Sequence, residues 1–204
     1  NIGYPAVSGL VPNGLNNDFY SDRYFKNTEL ANKYLNEYKK INDIDNISLD
    51  LTTDAQYLDI LEFIQSELKS VGIDLKINIT PPSILRQGKA TGKFNIFRAS
   101  WIADYANPEN YFSLFYSKNH TPYGPNYTFF QNEEYDKLYE QTLSLNKKDE
   151  LNKIYEKLEE IINEFSPIIP LYYDMSVRLK QKNIFGLTNN PLNILDLKTV
   201  YKKK

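Results

Sequence analysis

Three observations predict an α/β fold. Ile47-Ser48-Leu49-Asp50-Leu51 and Ile73–Ile79 alternate apolar and polar residues, as strands with one buried face do. Between them Leu58, Leu61, Ile64, Leu68 and Val71 recur at helical spacing. Strand, helix and strand within about thirty residues form a βαβ unit, with the two strands parallel and the crossover right-handed. A chain of 204 residues suits one domain or a large part of a bigger protein.

The elements follow in order. The opening, Asn1 to Leu15, is punctuated by Pro5, Gly9, Pro12 and Gly14 and reads as irregular, the expected start of a mature or excised piece of a longer protein. Thr28 is a candidate cap for a helix to about Lys40, with Leu30, Tyr34, Leu35 and Tyr38 on one face. Thr52-Thr53-Asp54 offers caps for the helix from about Ala55 to Ser70, and Gly72 supplies its left-handed stop. A third strand is predicted over 94–101, and Pro108 suits the first turn of a short aromatic helix through Tyr116. A Pro/Gly/Asn-rich loop spans 119–127. Two helices follow over about 132–145 and 147–165; Leu151, Ile154, Tyr155, Leu158, Ile161, Ile162 and Phe165 of the second make a core-facing stripe. The charged residues of both helices read as solvated faces with i,i+4 pairs. Strands are expected at 167–173 and 177–180.

Composition narrows the chemistry. With 41% hydrophobic and 25% charged residues the chain is ordinary globular protein, and it holds no run of the ~20 apolar residues a membrane helix needs. Lys and Arg number 24 against 26 Asp and Glu, a balance of 24 − 26 = −2 that argues against nucleic acid as a partner. The absence of Cys and the single His120 remove disulfides, thiolate clusters and multi-histidine zinc sites, so neither a metal nor a cofactor is expected. His120, in its Pro/Gly loop, reads as a loop residue rather than a base. Tyrosine is abundant at 17 residues, and its large face and polar tip suit recognition.

The chemistry concentrates in Phe97-Arg98-Ala99-Ser100-Trp101-Ile102-Ala103-Asp104-Tyr105-Ala106-Asn107-Pro108-Glu109. The single Trp, an Arg and an Asp fall at the carboxyl end of a predicted strand, where ligands of open α/β sheets bind. Asp104 can accept charge-assisted hydrogen bonds from an ammonium, and Arg98 can fork onto a carboxylate, which together suit a zwitterion. The residues alone equally allow Arg98 to pair with Asp104 and Trp101 to sit in the core. Asp54 reads as a helix cap.

Arg98-Ala-Ser-Trp101-Ile-Ala-Asp104-Tyr105 followed by Pro108 resembles the signature of the family 5 extracellular solute-binding proteins, the peptide- and oligopeptide-binding components of bacterial ABC importers. The Pro/Gly opening, Glu29–Leu35, Ile64–Ile73, Ile169–Tyr173 and Gly186…Asn190-Pro191-Leu192 fit the same family in order. The resemblance implies a periplasmic-binding-protein-like lobe of type II, with a mixed sheet flanked by helices, in a two-lobed clamshell more than twice this length. Residues 1–176 would be the C-terminal ligand-binding lobe. Residues 177–204 would be a tail returning to the N-terminal lobe, carrying Ile184, Phe185, Leu187, Leu192, Ile194, Leu195, Leu197 and Val200. Without that lobe, the tail is expected to fold back on this one or to pair with a second copy.

The resemblance also implies roles. Asp104 would pair with the ligand's α-amino group, and the backbone at Ser100 and Ile102 would meet an extended peptide by strand addition. Trp101, with Tyr105 beside it, would line the site. Arg98 matches a basic residue pointed toward a carboxylate, and Gln56 falls near the ligand's C-terminus. No Arg lies in 51–56, which weakens a strict dipeptide reading. The implied protein is not an enzyme. It is periplasmic or tethered at the cell surface as a lipoprotein, and its partners are a short peptide, the N-terminal lobe and an ABC permease. Two alternatives stay open: the same fold holding a nickel chelate, haem, an oligosaccharide or an amino-acid-derived signal, and a hydrolase using Asp104 and Glu109.

Overall fold

A computed structural model describes residues 3–6, 9–12, 14–15, 25–190 and 192–203. Pro191 of the expected terminal motif and part of the irregular opening lie outside them. The elements are β1 (Gly3–Pro5), α1 (Thr28–Asn42), β2 (Ile47–Thr53), α2 (Leu58–Ser70), β3 (Ile73–Ile79), α3 (Pro82–Ala90), β4 (Ile96–Phe97), α4 (Glu109–Phe112), α5 (Glu133–Thr142), α6 (Lys148–Phe165), β5 (Tyr172–Asp174), β6 (Ile184–Phe185) and β7 (Tyr201–Lys202). They divide into two compact units. One comprises residues 1–24, 101–117 and 130–204, and the other 25–100 and 118–129.

The second unit contains the predicted βαβ. β2 and β3 pair in parallel from Ile47↔Ile73 to Thr53↔Ile79, and β4 joins the other edge of β2, also in parallel, at Leu51↔Ile96 and Thr52↔Phe97. Leu51, Leu61 and Leu75 form the buried centre, with Leu49, Ile64, Leu68, Ile77 and Ile96 packed around them. The period-2 pattern of both strands thus places one face against α2. Gly72 sits at φ +84, just past Val71, which caps α2, the left-handed stop that its position predicts.

Several boundaries differ from the sequence reading. The strand expected over 94–101 pairs only at 96–97; Arg98 adds one bond to Thr52, and beyond the end of β2 at Thr53 residues 99–101 have no partner in this sheet. α3 was hidden by Pro81-Pro82, which open it at its first turn. The cap of α1 is Asn27, whose side chain accepts from Leu30 N, rather than Thr28. The apolar stripe of α1 exists, yet no residue of that helix is buried.

The first unit is built around α5 and α6. Asn132 caps α5 by accepting from Tyr135 N at 2.9 Å, and Ser166 ends α6 in the left-handed conformation at φ 46. The α6 stripe buries Tyr155, Leu158, Ile161 and Ile162 against Phe112, Phe115, Tyr135 and Tyr139, while Phe165 at its end stays exposed. Phe112 stacks on Tyr155 with ring centroids 5.1 Å apart. Tyr135 is wholly buried and gives its hydroxyl proton to the Phe112 carbonyl at 2.7 Å, as a buried phenol requires.

Glu159 corrects the reading of the α5 and α6 charges as solvated. It is 1% exposed, and its Oε1 accepts from Leu10 N at 2.8 Å. Gly9 lies so close, at φ +142, that a Cβ there would stand 2.7 Å from Oε1. The acid therefore ties the start of the chain to α6, a long-range bond that no periodicity signals. Beside it Tyr173 donates to the Gly9 carbonyl at 2.7 Å, and β1 pairs antiparallel with β5 from Gly3↔Asp174 to Pro5↔Tyr172. The opening expected to be irregular thus holds a short strand.

The strand expected at 177–180 does not form; β6 and β7 make a small antiparallel pair instead. Arg178 braces the tail, donating to the Asn193 carbonyl and Oδ1, both at 2.7 Å. Leu192 packs on the core of this unit, whereas Ile194, Leu195 and Leu197 remain exposed.

Candidate functional site

Arg98 and Gln56 share the carboxyl end of the parallel sheet. Arg98 follows β4, and its backbone N–H donates to the Thr52 carbonyl at 3.1 Å, extending the ladder by one residue. Its guanidinium carbon lies 3.2 Å from the centre of the Tyr57 ring, a cation–π contact. Tyr57 is fixed by a one-turn 3-10 helix, Ala55–Tyr57, which Asp54 caps by accepting from Gln56 N at 3.0 Å. The Asp54 cap agrees with the sequence reading. Gln56 is exposed beside it.

A residue the sequence reading missed joins this end. Lys89 on α3 is half-buried, and burial, followed by the positive charges of Arg98 and Arg86, lowers its pKa. The positive charges of Arg98 and Arg86 thus both bear on Lys89, with Asp54 opposing them. The missed helix concealed Arg86 and Lys89.

In the first unit, Trp101, Asp104 and Tyr105 are brought together on a turn that belongs to no strand. Trp101 is half-buried and packed against the core, so it is both a core side chain and a partly open one. Its indole N–H donates to Asn110 Oδ1 at 2.8 Å, and the backbone N–H of Asp104 donates to the same oxygen at 3.2 Å. The Asp104 side chain is exposed, as is Ile102 at 76%. Ser100, the last residue of the second unit's first segment, is exposed as well. Asn110, itself buried, carried no signal in the sequence beyond being a polar residue among aromatic ones.

Glu109 lies behind this turn in a tyrosine cage. Tyr105 and Tyr139 both donate their hydroxyls to its carboxylate, and Asn107 Oδ1 accepts from Glu109 N at 2.9 Å and from the Tyr155 hydroxyl at 3.2 Å. The carboxylate thus holds two phenols in place. His120 stands apart from both clusters' residues in sequence, bridged to Asn126 and 5.5 Å from the Phe129 ring.

The cage has a consequence for alkaline stability. Burial, then the charge of Glu109, pushes the Tyr155 phenol up to about 12. Burial and the bond to Glu109 push Tyr139 higher still, and burial raises Tyr135 well above its usual value. These groups keep their protons in the fold longer than in the unfolded chain. Their stabilisation is therefore complete below the ordinary tyrosine value of 10.0 and is lost as pH rises through the folded values. The urea midpoint should fall steeply above about pH 10, in step with tyrosinate absorbance. A flat midpoint through pH ~12 would contradict the cage.

Residues 1–123 match the family described as "Bacterial extracellular solute-binding proteins, family 5 Middle", well over half of the chain. The chain belongs to this family. Among curated family 5 relatives, the dipeptide-binding protein DppE of Bacillus subtilis is 30% identical over 85% of this chain and 31% of its own length. The periplasmic murein peptide-binding protein MppA of Escherichia coli is 31% identical over 65% of this chain and 24% of its own. The chain thus spans a third or less of these relatives.

Solved structures share the fold. DppA from Helicobacter pylori, in complex with the peptide STSA, aligns with a TM-score of 0.80 at 22% identity, covering 99% of this chain and 40% of that one. AppA from Bacillus subtilis, in complex with a nonapeptide, aligns at 0.73 and 24% identity, covering 99% and 43%. The expectation of a periplasmic-binding-type α/β lobe is met. Within it, the sheet is not one mixed sheet: the parallel strands and the antiparallel pairs form separate sheets.

Proposed function

We propose that this chain is the C-terminal ligand-binding lobe of a peptide receptor serving an ABC importer outside the cytoplasmic membrane. Asp104, in one unit, accepts a ligand's α-ammonium; Arg98, in the other, is a candidate partner for a carboxylate. The exposed backbone at Ser100 and Ile102 lies outside any sheet and is open to an extended peptide. Trp101 and Tyr105 flank Asp104 on its turn, and Gln56 precedes Tyr57, against which Arg98 lies.

One observation carries this reading: Asp104 presents an exposed carboxylate on a turn whose backbone is pinned from below by a buried Asn110. An exposed acid on a loosely held loop would have many partners; on a fixed turn it selects a cation of defined position. The peptide-binding names of the relatives favour an ammonium over a nickel chelate, haem or sugar. The same binding-protein names disfavour the hydrolase. The N-terminal lobe would supply the other wall, with hinge closure presenting the loaded form to a permease. The segment 177–204 is proposed to complete its packing against that lobe through its exposed apolar side chains.

The test is thermal unfolding of the full two-lobed protein with trialanine, N-acetyl-trialanine and trialanine amide. Ligand raises apparent stability by about 2.7 kcal/mol at a hundredfold excess over Kd. A shift with trialanine that acetylation abolishes supports the amine anchor. Equal shifts with the free and acetylated peptides refute it. At the other end, Arg98→Ala should weaken trialanine binding by about 1 kcal/mol, because Lys89 and Arg86 remain, and should leave binding of the amide unchanged. Equal losses for both peptides would remove Arg98 from the carboxylate site.

A further inference from the structure

Asn110 ties two parts of the Trp101–Tyr105 turn through one carboxamide oxygen. Its Oδ1 accepts from Trp101 Nε1 at 2.8 Å and from Asp104 N at 3.2 Å. The residue is 4% exposed and sits on α4 between Glu109, held by two tyrosines, and the buried Tyr111 and Phe112. Its own backbone N–H donates to the Asn107 carbonyl at 3.2 Å. The carboxamide therefore has little room to move.

Trp101 also packs on the core and Tyr105 on Glu109, but the indole N–H and the Asp104 N–H both go to this oxygen. An indole N–H can only donate, so without Oδ1 the half-buried Trp101 ring would have to turn its edge elsewhere. Residues 98–107 form no helix or strand, so the direction of the Asp104 side chain depends on how its backbone is pinned. A single acceptor thus sets both the aromatic wall and the acid. Preorganisation of this kind removes an ordering cost from ligand binding.

We infer that Asn110 is a positioning residue of the ligand-amine site, fixing the Trp101 ring and the Asp104 carboxylate in their binding orientation before any ligand arrives. The inference rests on the reading of Asp104 as amine acceptor. Asn110 touches no ligand in it; the residue acts through the two groups it pins.

The single Trp makes this readable, because the chain gives one indole cross-peak in a ¹H–¹⁵N spectrum. Indole exchange is read on this chain, and the affinities for trialanine and N-acetyl-trialanine on the full two-lobed protein, each as wild type, Asn110→Ala and Asn110→Asp. In wild type the indole N–H should exchange slowly. In Asn110→Ala its exchange and that of the Asp104 amide should rise by about tenfold or more, while the amides of β2 and β3 keep theirs. Trialanine affinity should fall about tenfold toward that of the acetylated peptide. Asn110→Asp keeps an oxygen acceptor of the same shape and should restore both the slow indole exchange and the affinity. A role confined to stability would leave the preference for the free amine unchanged.

Two results overturn the inference: an indole that exchanges at the solvent rate in wild type, or an Asn110→Ala protein that loosens the turn yet keeps its trialanine affinity. Should Asn110→Ala not fold, Asn110→Ser is read in the same way, since its shorter hydroxyl cannot reach both donors. A wild type that binds trialanine and its acetylated form equally overturns the amine reading of Asp104, and the ligand half of this inference with it. Slow, Asn110-dependent indole exchange in that same protein would keep the held turn.

Discussion

Phe112→Ala should destabilise the first unit by about 3–5 kcal/mol, the range for emptying a large aromatic site in a core. Phe112 is wholly buried, stacks on Tyr155 at 5.1 Å with rings 8° from parallel, and offers its carbonyl to the Tyr135 hydroxyl at 2.7 Å. Removing the ring leaves α6 facing a void and loosens α4, which also carries Asn110. Domains of this size are stable by only about 5–15 kcal/mol, so the loss is a large share of the total. Urea denaturation followed by the fluorescence of Trp101 reads the unit directly, because that residue packs on the same core. Phe112→Leu, which fills most of the volume, should cost less than about 1.5 kcal/mol. A loss below ~1 kcal/mol for the alanine variant would mean that the core closes over the site and that the aromatic stack is dispensable.

Asp104→Ala should weaken the binding of a free-amine peptide to the full two-lobed protein by about 1.5–3 kcal/mol, the value of a hydrogen bond to a charged group. That is roughly a ten- to hundredfold change in Kd. The acid is exposed in this chain, so its removal leaves no buried hydrogen-bond partner stranded and the fold should be untouched. The loss arises in the complex, where a buried ammonium without a counter-charge is costly. Isothermal titration with trialanine and its N-acetyl form separates the possibilities. The variant should bind both weakly and about equally. A variant that still prefers the free amine would move the anchor to another residue.

How much of this was legible in the sequence depended on the range of the contacts. The βαβ of the second unit was readable because its signals are local: period two in Ile47–Leu51 and Ile73–Ile79, period 3.6 in the Leu58–Val71 helix, and Gly72 between them. The α6 stripe was readable for the same reason. Glu159 was not, because its partner Leu10 lies 149 residues away and nothing near it in sequence marks an acid as buried. α3 went unseen because Pro81-Pro82 reads as a breaker unless the second proline is taken as a first-turn residue. The site divided along the same line. Trp101 and Asp104 stood out by residue type, whereas Asn110 and Lys89 matter through what they touch.

The two units also differ in when they can come into being. Every pairing within the β2–β3–β4 sheet is available once residue 97 has been made. The first unit must wait, because β1 can find β5 only after Asp174 exists, and Tyr173 reaches back to Gly9 across 164 residues. A chain emerging from its N-terminus therefore carries a closed parallel sheet for some 70 residues of synthesis while Val11, Leu15 and Phe112 have no α6 to cover them. Long-range closure of this sort is slow, and it leaves the half of the chain bearing Asp104 the last to take shape.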